Sequence, residues 1–420
     1  MLTQAPKGTR DVLPADSYRW QYIEDRMRKA AALAGYREAR TPVFEHTELF
    51  LRGIGDTTDV VQKEMYTFED KGKRSVTLKP EGTAGAVRCF VEHNLYAEPL
   101  PCKLYYLNSP IFRYENPQSG RLREHHQFGM ECFGAKEATV DAELILTAYH
   151  LLQELGVGNL SVEINSIGCP NCRPVYHKRL KDFLGERIND MCETCRERFD
   201  RNPLRVLDCK EKKCQELTKD APSMLDLLCD ECRDHFEKLQ RCLDGAGIPY
   251  SVNPRIVRGL DYYTKTVFEI VTETPDGKLT VCGGGRYDNL VEQIGDQSIP
   301  AVGFGMGLER VLMLLDGEGI ELPKPEWYDV FVTFMGGNQQ QAFKLVQQLR
   351  AAGVKADMDH VGRSLKAQFK YANKTGAPVT AVIGDDEAAS GTVKLKRMSD
   401  GTEQTVGVKD AAEAIREMIK

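Results

Sequence analysis

The sequence predicts an α+β fold: an antiparallel sheet with flanking helices, broken by a helical insertion and followed by a small α/β domain. Three observations carry that prediction. LYYLNSPIFR and HHQFGMECFG are two strand patterns, and NPQSG between them supplies the Asn-Pro and Ser-Gly signals of a turn. RIVRGLDYYTKTVFEIV and the segment entering VCGGGRYD form a second strand pair joined through TETPDGKL. From Asp329 the period changes, and strand patterns at DVFVTFM, VKADMD and PVTAVIG alternate with helical ones, which argues for a separate α/β unit. The division that follows is 1–168, 169–250, 251–325 and 326–420, with the first and third parts forming one body. A chain of 420 residues is long enough for two or three cores.

Residues 1–15 read as an extended arm punctuated by Pro6, Gly8 and Pro14. Asp16 can cap a helix running to about Ala34, since Trp20, Ile23, Met27 and Ala31 recur at helical spacing and Gly35 ends it. YREARTPVFEHTELFLRGIG gives a strand entering Thr41-Pro42 and a short helix. MYTFEDKGKRSVTLKPEGTAGAVRCFVEHN reads as a hairpin around Lys71-Gly72, a loop and a helix, with Glu81 and Thr83 where strand meets helix. A carboxylate there has two readings, one that steadies the exposed helix N–H groups and one that binds a cationic ligand. Residues 137–155 form an amphipathic helix, SVEINSIG a strand leaving the body, and 169–245 a charged helical stretch. AVGFGMGLERVLMLLD is a glycine-rich strand running into an apolar helix. GGGRYD permits close backbone approach, but it lacks the GK[ST] element and does not open a βαβ unit, so a P-loop or Rossmann reading fails.

Acidic residues outnumber basic ones by 62 to 56, so whole-chain charge does not mark a nucleic-acid binder, although it can hide a local basic patch. No run approaches the roughly 18–20 apolar residues of a membrane span, and the N-terminus carries no signal-peptide pattern, so a cytoplasmic protein without a membrane partner is expected. Of thirteen cysteines, eight lie between Cys169 and Cys232. In a reducing compartment such clustering points to metal or to packed thiols rather than disulfides. Cys169-x-x-Cys172 with Cys192-x-x-Cys195 has the spacing of a structural zinc tetrad, and Cys209, Cys214, Cys229 and Cys232 can make a second; bound zinc and unmetallated thiols are both open. Cys89, Cys102, Cys132, Cys242 and Cys282 are expected as ordinary buried hydrophobes.

The central hairpin carries charge on both arms, with Arg113, Gln127 and Glu131 expected to face inward. Such groups need partners when buried, and a polyanion and a zwitterion would supply them; a solvated hairpin is the blander account. His125 and His126 are not expected to act as an acid–base pair, because adjacent strand positions face opposite ways. Near the C-terminus, Arg363, Lys366, Lys370 and Lys374 recur at the spacing of one helical face, which suits either a solvated face or phosphate binding.

FRYENPQSGRLREHHQFGMECFG resembles motif 2 of the class II aminoacyl-tRNA synthetases, most closely that of the histidyl-tRNA synthetase family. KGTRDVLP, LKPEGTAGAVR, RGLDYYTKTVFE with CGGGRYDNLVEQIG, and AVGFGMGLERVLML agree with that family in the same order, from Lys7 to the C-terminus. The resemblance implies a class II antiparallel catalytic sheet, a C-terminal anticodon-binding domain, and a homodimer formed through the TPVFEH region. It also implies activation of L-histidine by ATP with Mg²⁺, then transfer to the 3′ end of tRNA. Arginine suits that chemistry because its fork is permanently charged and bidentate.

By the same resemblance, Arg113 contacts the α-phosphate, Arg310 the γ-phosphate, and Arg258 lies near the α-phosphate and the substrate carboxylate. Glu115 and Arg121 complete the ATP site. Glu81, Thr83 and Gln127 would hold the ammonium group, Glu131 and Tyr263 the two imidazole nitrogens, and Tyr262 and Tyr287 would line the pocket. Gln118, Arg363, Lys366 and Lys370 fall where the family contacts tRNA. Two rivals are weighed against this. The synthetase-like regulatory subunit of ATP phosphoribosyltransferase usually lacks the C-terminal domain and loses motif residues that are present here. Sister synthetases for glycine, proline or threonine are disfavoured by RGLDYY and Glu131.

Overall fold

The computed structural model describes residues 3–55, 58, 60–117, 122–275 and 277–420. Gln118 and Arg121, expected at the tip of the central hairpin, lie outside the described residues. The chain forms two compact units, Met1–Leu322 and Pro323–Lys420.

An eight-stranded sheet organises the first unit, in the order Arg37–Glu38, Cys102–Phe112, Glu124–Phe133, Ala301–Gly307, Gly277–Arg286, Thr264–Thr274, Leu160–Ser166 and Tyr250–Val252. The outermost pair at each edge is parallel and the pairs between are antiparallel. Alternation along the strands decides what each face carries. In Glu124–Phe133, the side chains of Phe128, Met130 and Cys132 enter a core shared with Trp20, Ile23 and Met27 of helix Pro14–Leu33, Leu144 and Ile145 of helix Ala138–Glu154, and Val311 of helix Leu308–Gly317. Gln127, Gly129 and Glu131 therefore fall on the opposite face.

The strand AVGFGMG repeats the device: Val302, Phe304 and Met306 fill the same core, which leaves Gly303, Gly305 and Gly307 facing away from it. Register lines these glycines up across the sheet. Gly303 sits opposite Glu131 on one side and Gly285 on the other, and Gly283 sits between Gly305 and Glu269. That second face is covered by helices Thr83–Glu92 and Leu290–Gly295 around Phe90, Tyr106, Tyr262, Tyr263 and Tyr287.

One strand begins later than its pattern suggests. RIVRGLDYYTKTVFEIV is extended only from Thr264, and Arg258 adopts a left-handed backbone conformation with φ 54°. That backbone conformation lies outside the extended region a strand residue ordinarily adopts. Between Ser166 and Tyr250, helices Arg173–Gly185, Glu193–Arg201, Lys212–Leu217 and Asp230–Ala246 enclose a small core of Tyr176, Leu180, Leu184, Leu207 and six of the cysteines. The last of these helices also buries Phe236, Leu239 and Leu243 in the main core, so it belongs to both.

The second unit has a five-stranded sheet ordered Ala356–Met358, Val330–Phe334, Val379–Ile383, Thr392–Arg397 and Glu403–Gly407, parallel over the first three strands and antiparallel thereafter. Here a correction is needed. Arg363 does not share the helical face of Lys366, Lys370 and Lys374, because the helix is Leu365–Lys374 and Ser364 is its N-cap. Its guanidinium is bound to Asp359 at 2.6 Å and lies 4.2 Å from the Tyr371 ring centroid, whereas the three lysines are exposed. Among the described residues no helix is long and apolar enough to cross a membrane.

Candidate active site

Three arginines from three separate segments line one cavity of about 440 Å³ on the glycine face, together with Gln127, Glu269 and Lys210. Each is steered by a backbone or carboxylate partner. Arg113 follows the strand Cys102–Phe112 and donates from Nε to the Pro80 carbonyl at 2.8 Å. Arg310 lies in the first turn of helix Leu308–Gly317 and donates from Nη1 to the Thr280 carbonyl at 2.5 Å. Arg258 pairs with Glu269 and lies 5.9 Å from the Tyr263 ring centroid. Gly283 makes that pairing possible, since a Cβ there would sit 2.5 Å from the Arg258 guanidinium. Glu115 and His125 border the same cavity.

Behind the cavity the polar side chains are dry. Glu131 is fully buried and accepts hydrogen bonds from Thr83 Oγ1 at 2.8 Å, from Tyr106 Oη at 3.3 Å and from the hydroxyl of Tyr287. Gly303 opposite has no side chain to contest the space, and a Cβ on it would overlap Glu131 Oε2. Burial pushes the Glu131 carboxyl up to about 8 in spite of these donors. Glu81 accepts from the backbone N–H groups of Thr83 and Ala84, each at 2.7 Å, so it steadies the start of helix Thr83–Glu92; Tyr262 Oη also reaches it at 3.5 Å. Burial raises its carboxyl as well. Both readings of Glu81 from sequence are compatible with this arrangement, since two oxygens have lone pairs beyond the two helix donors.

The raised Glu131 carboxyl has a measurable consequence. The folded chain keeps a proton that the unfolded chain releases near the ordinary value of 4.5, so stability falls as pH rises from about 4.5 towards 8. A Glu131→Gln variant cannot release that proton. Unfolding midpoints of wild type and variant should therefore move apart in the variant's favour across this window; a gap that does not change with pH contradicts the assignment.

The two hairpin histidines do face opposite ways. His125 borders the cavity, where burial, then the charge of Arg113, lowers it to about 4. His126 turns to the other side, with Nδ1 2.9 Å from Glu309 and its ring edge-on to Trp20. Several participants have only weak sequence signals. Tyr106 is one residue in an apolar strand pattern and Lys210 sits in a charged stretch of the insertion; outside the cavity lining, Lys79 is a buried lysine that desolvation lowers to about 8, with Glu81 among the charges acting on it. The KPEGT run was the one hint available for Lys79.

The cysteine pairing expected from sequence order is overturned. Cys169 and Cys172 converge with Cys229 and Cys232, and Cys192 and Cys195 converge with Cys209 and Cys214. Cys172 and Cys229 are the N-caps of helices Arg173–Gly185 and Asp230–Ala246, and the Cys229 N–H reaches Cys172 Sγ at 3.2 Å, so these two helix starts meet. Of the five other cysteines, Cys132 and Cys282 are buried, and Cys89, Cys102 and Cys242 are partly so.

Comparison with known proteins gives a consistent answer. The profile described as histidyl-tRNA synthetase matches residues 8–311, and the profile described as anticodon binding domain matches residues 329–418. A histidine–tRNA ligase of Caldanaerobacter subterraneus subsp. tengcongensis is 56% identical over 417 residues, covering 99% of this chain and 100% of that protein. One from Clostridium perfringens is 57% identical over 410 residues, covering 97% and 98%. The crystal structure of apo Staphylococcus aureus histidyl-tRNA synthetase superposes with a TM-score of 0.84 at 38% identity, covering 98% of this chain and 99% of that one. The fold, the glycine-lined arginine cavity and these matches agree: the chain belongs to the histidyl-tRNA synthetase family.

Proposed function

We propose that this protein is a histidine–tRNA ligase. It couples L-histidine to ATP, releases pyrophosphate, and passes the histidyl group from the adenylate to the 3′ end of tRNA. The observation that carries the reading is the meeting of Arg113, Arg258 and Arg310 on one cavity, backed by the buried carboxylates Glu81 and Glu131.

In the first step a histidine carboxylate oxygen attacks the α-phosphorus, a new P–O bond forms, and the bond to the β-phosphate bridging oxygen breaks. Positioning and charge neutralisation do most of this work. Arg113 holds the α-phosphate, and Arg310, on the far wall, holds the γ-phosphate. Arg258, fixed against Glu269, steers the substrate carboxylate towards the α-phosphorus. Glu115 borders the nucleotide, and Arg121 is a further phosphate contact. Mg²⁺ would offset phosphate charge on the same wall, where Glu269 and Glu309, engaged here by Arg258 and His126, are the hard oxygen donors that would hold it.

Recognition of histidine rests on Glu131 and Tyr263 for the two imidazole nitrogens, with Tyr262 and Tyr287 as walls. Glu81, Thr83 and Gln127 take the ammonium group. A pocket that pairs both ring nitrogens rejects amino acids that cannot offer Glu131 and Tyr263 a matching ring N–H and ring acceptor. The second step needs tRNA. Gln118 and the lysines Lys366 and Lys370 are the proposed contacts, with Arg363 as a neighbour already engaged by Asp359. Residues 326–420 serve the anticodon and 1–168 with 251–325 the chemistry, while 169–250 forms the insertion. A homodimer in the cytoplasm completes the proposal; exposed Val43, Phe44 and Phe68 at the small sheet of Phe44–His46, Tyr66–Glu69 and Ser75–Leu78 support a partner surface.

The regulatory-subunit alternative is not favoured, because the ligases named above match over the full chain, C-terminal unit included. Charging of total tRNA with labelled histidine tests the proposal. Label should enter tRNA with histidine and with no other amino acid; an uncharged pool in the presence of ATP and Mg²⁺ would reject it.

A further inference from the structure

The catalytic reading leaves the eight cysteines of the insertion unused. Their thiols form two closed groups, and in each all four sulfurs lie within 4.8 Å of one another. Within them Cys169 and Cys172 are 3.7 Å apart, Cys169 and Cys229 3.9 Å, and Cys192 and Cys209 3.8 Å. A zinc ion bonded tetrahedrally to four thiolates at about 2.3 Å sets its sulfurs roughly 3.8 Å apart. These three separations match that edge, and they are far longer than the roughly 2.05 Å of a disulfide. The backbone adds the same detail to both groups. Cys229 N–H points at Cys172 Sγ at 3.2 Å, and Cys192 N–H points at Cys214 Sγ at 3.3 Å, which favours thiolates over thiols.

We propose that the insertion holds two structural zinc ions in nested tetrads, Cys169/Cys172/Cys229/Cys232 outside and Cys192/Cys195/Cys209/Cys214 inside. The need is physical. This stretch has a small apolar core of its own, and cores of that size are ordinarily reinforced by metal or disulfide staples. The outer ion clamps the neck, where helices Arg173–Gly185 and Asp230–Ala246 begin. The inner ion closes the segment 192–214.

The inner segment also touches the catalytic wall. Arg205 donates from Nη1 to the Arg258 carbonyl at 3.0 Å, and Asn202 donates to Asp261 Oδ1 at 3.0 Å. Lys210, next to the ligand Cys209, borders the arginine cavity. The inner ion therefore sets the backbone of 258–261, where Arg258 holds its left-handed turn. This last link deepens the catalytic reading and rests on it, whereas the zinc count does not.

Metal analysis of the purified chain, with zinc-edge anomalous diffraction from wild-type crystals, tests the proposal without any substitution. Two zinc equivalents and two anomalous peaks, one inside each nested tetrad, are expected. Fewer than one equivalent, or iron in its place, overturns it. Paired substitutions read the connectivity. Cys169→Ser with Cys229→Ser should lose one zinc and keep one, whereas Cys169→Ser with Cys195→Ser should lose both; the reverse pattern establishes sequential tetrads and overturns the nesting. Hydrogen exchange of 256–263 should quicken in Cys195→Ser with Cys209→Ser. Unchanged exchange there, with the inner zinc gone, overturns the link to Arg258.

Discussion

Arg258→Ala is expected to lower histidine-dependent exchange of pyrophosphate into ATP by about 10²–10³-fold, the loss that follows when a preorganised electrostatic contact to a reacting group is removed. The guanidinium is held by Glu269 and passes over Gly283, where no side chain obstructs it. Removal leaves the Glu269 carboxylate on the cavity wall without its cation, so the local charge reverses where the proposed function places phosphate. Lysine at 258 should recover little, because a point charge cannot reproduce a fork held against both a carboxylate and a substrate. The melting midpoint reports whether the variant is folded, and a folded Arg258→Ala chain with undiminished exchange contradicts the role.

Arg286→Ala is expected to cost about 3–5 kcal/mol of stability, the range for breaking a buried ion pair from one side. Arg286 and Asp141 are both wholly buried and paired, and His235 reaches Asp141 at 3.3 Å from the helix Asp230–Ala246. Arg286 Nη1 also donates to the Ala135 carbonyl at 2.8 Å. Burial alone would raise the Asp141 carboxyl, but Arg286 and His235 outweigh it and hold it below the ordinary range. The bracket thus joins a central strand, the start of helix Ala138–Glu154 and the end of the insertion. Tyr287 follows Arg286 directly and bonds to Glu131, so a loosened bracket should also loosen the buried cluster around Glu131 that is proposed to hold histidine. Denaturant midpoints at neutral pH measure the cost. A change under 1 kcal/mol would mean that water or a rearranged neighbour replaces the arginine.

Much of the site was legible because it follows strand alternation. Gln127 and Glu131 fall on one face as the hairpin pattern expects, and AVGFGMG, readable as a glycine-rich strand, supplies the glycines under them while Val302, Phe304 and Met306 enter the core. The central hairpin likewise shows in its turn signals and charged arms. What sequence could not supply depends on contacts between distant segments. Tyr106 acquires meaning only when the register carries it to Glu131, and Lys210 only when the insertion folds back on the cavity. Sequence order suggested tetrads of neighbouring cysteine pairs, and only the fold brings Cys169 and Cys172 to Cys229 and Cys232. At Arg363 the three- and four-residue spacing misled, because Ser364 starts the helix one residue after it.

The central claim is that the glycine face of this sheet adenylates histidine and no related amino acid. Exchange of labelled pyrophosphate into ATP, run on the wild-type chain with Mg²⁺ and with histidine, glycine, proline or threonine in turn, tests it most directly. The account predicts exchange with histidine alone. Exchange with one of the other three, or none with histidine from a folded chain, would contradict it.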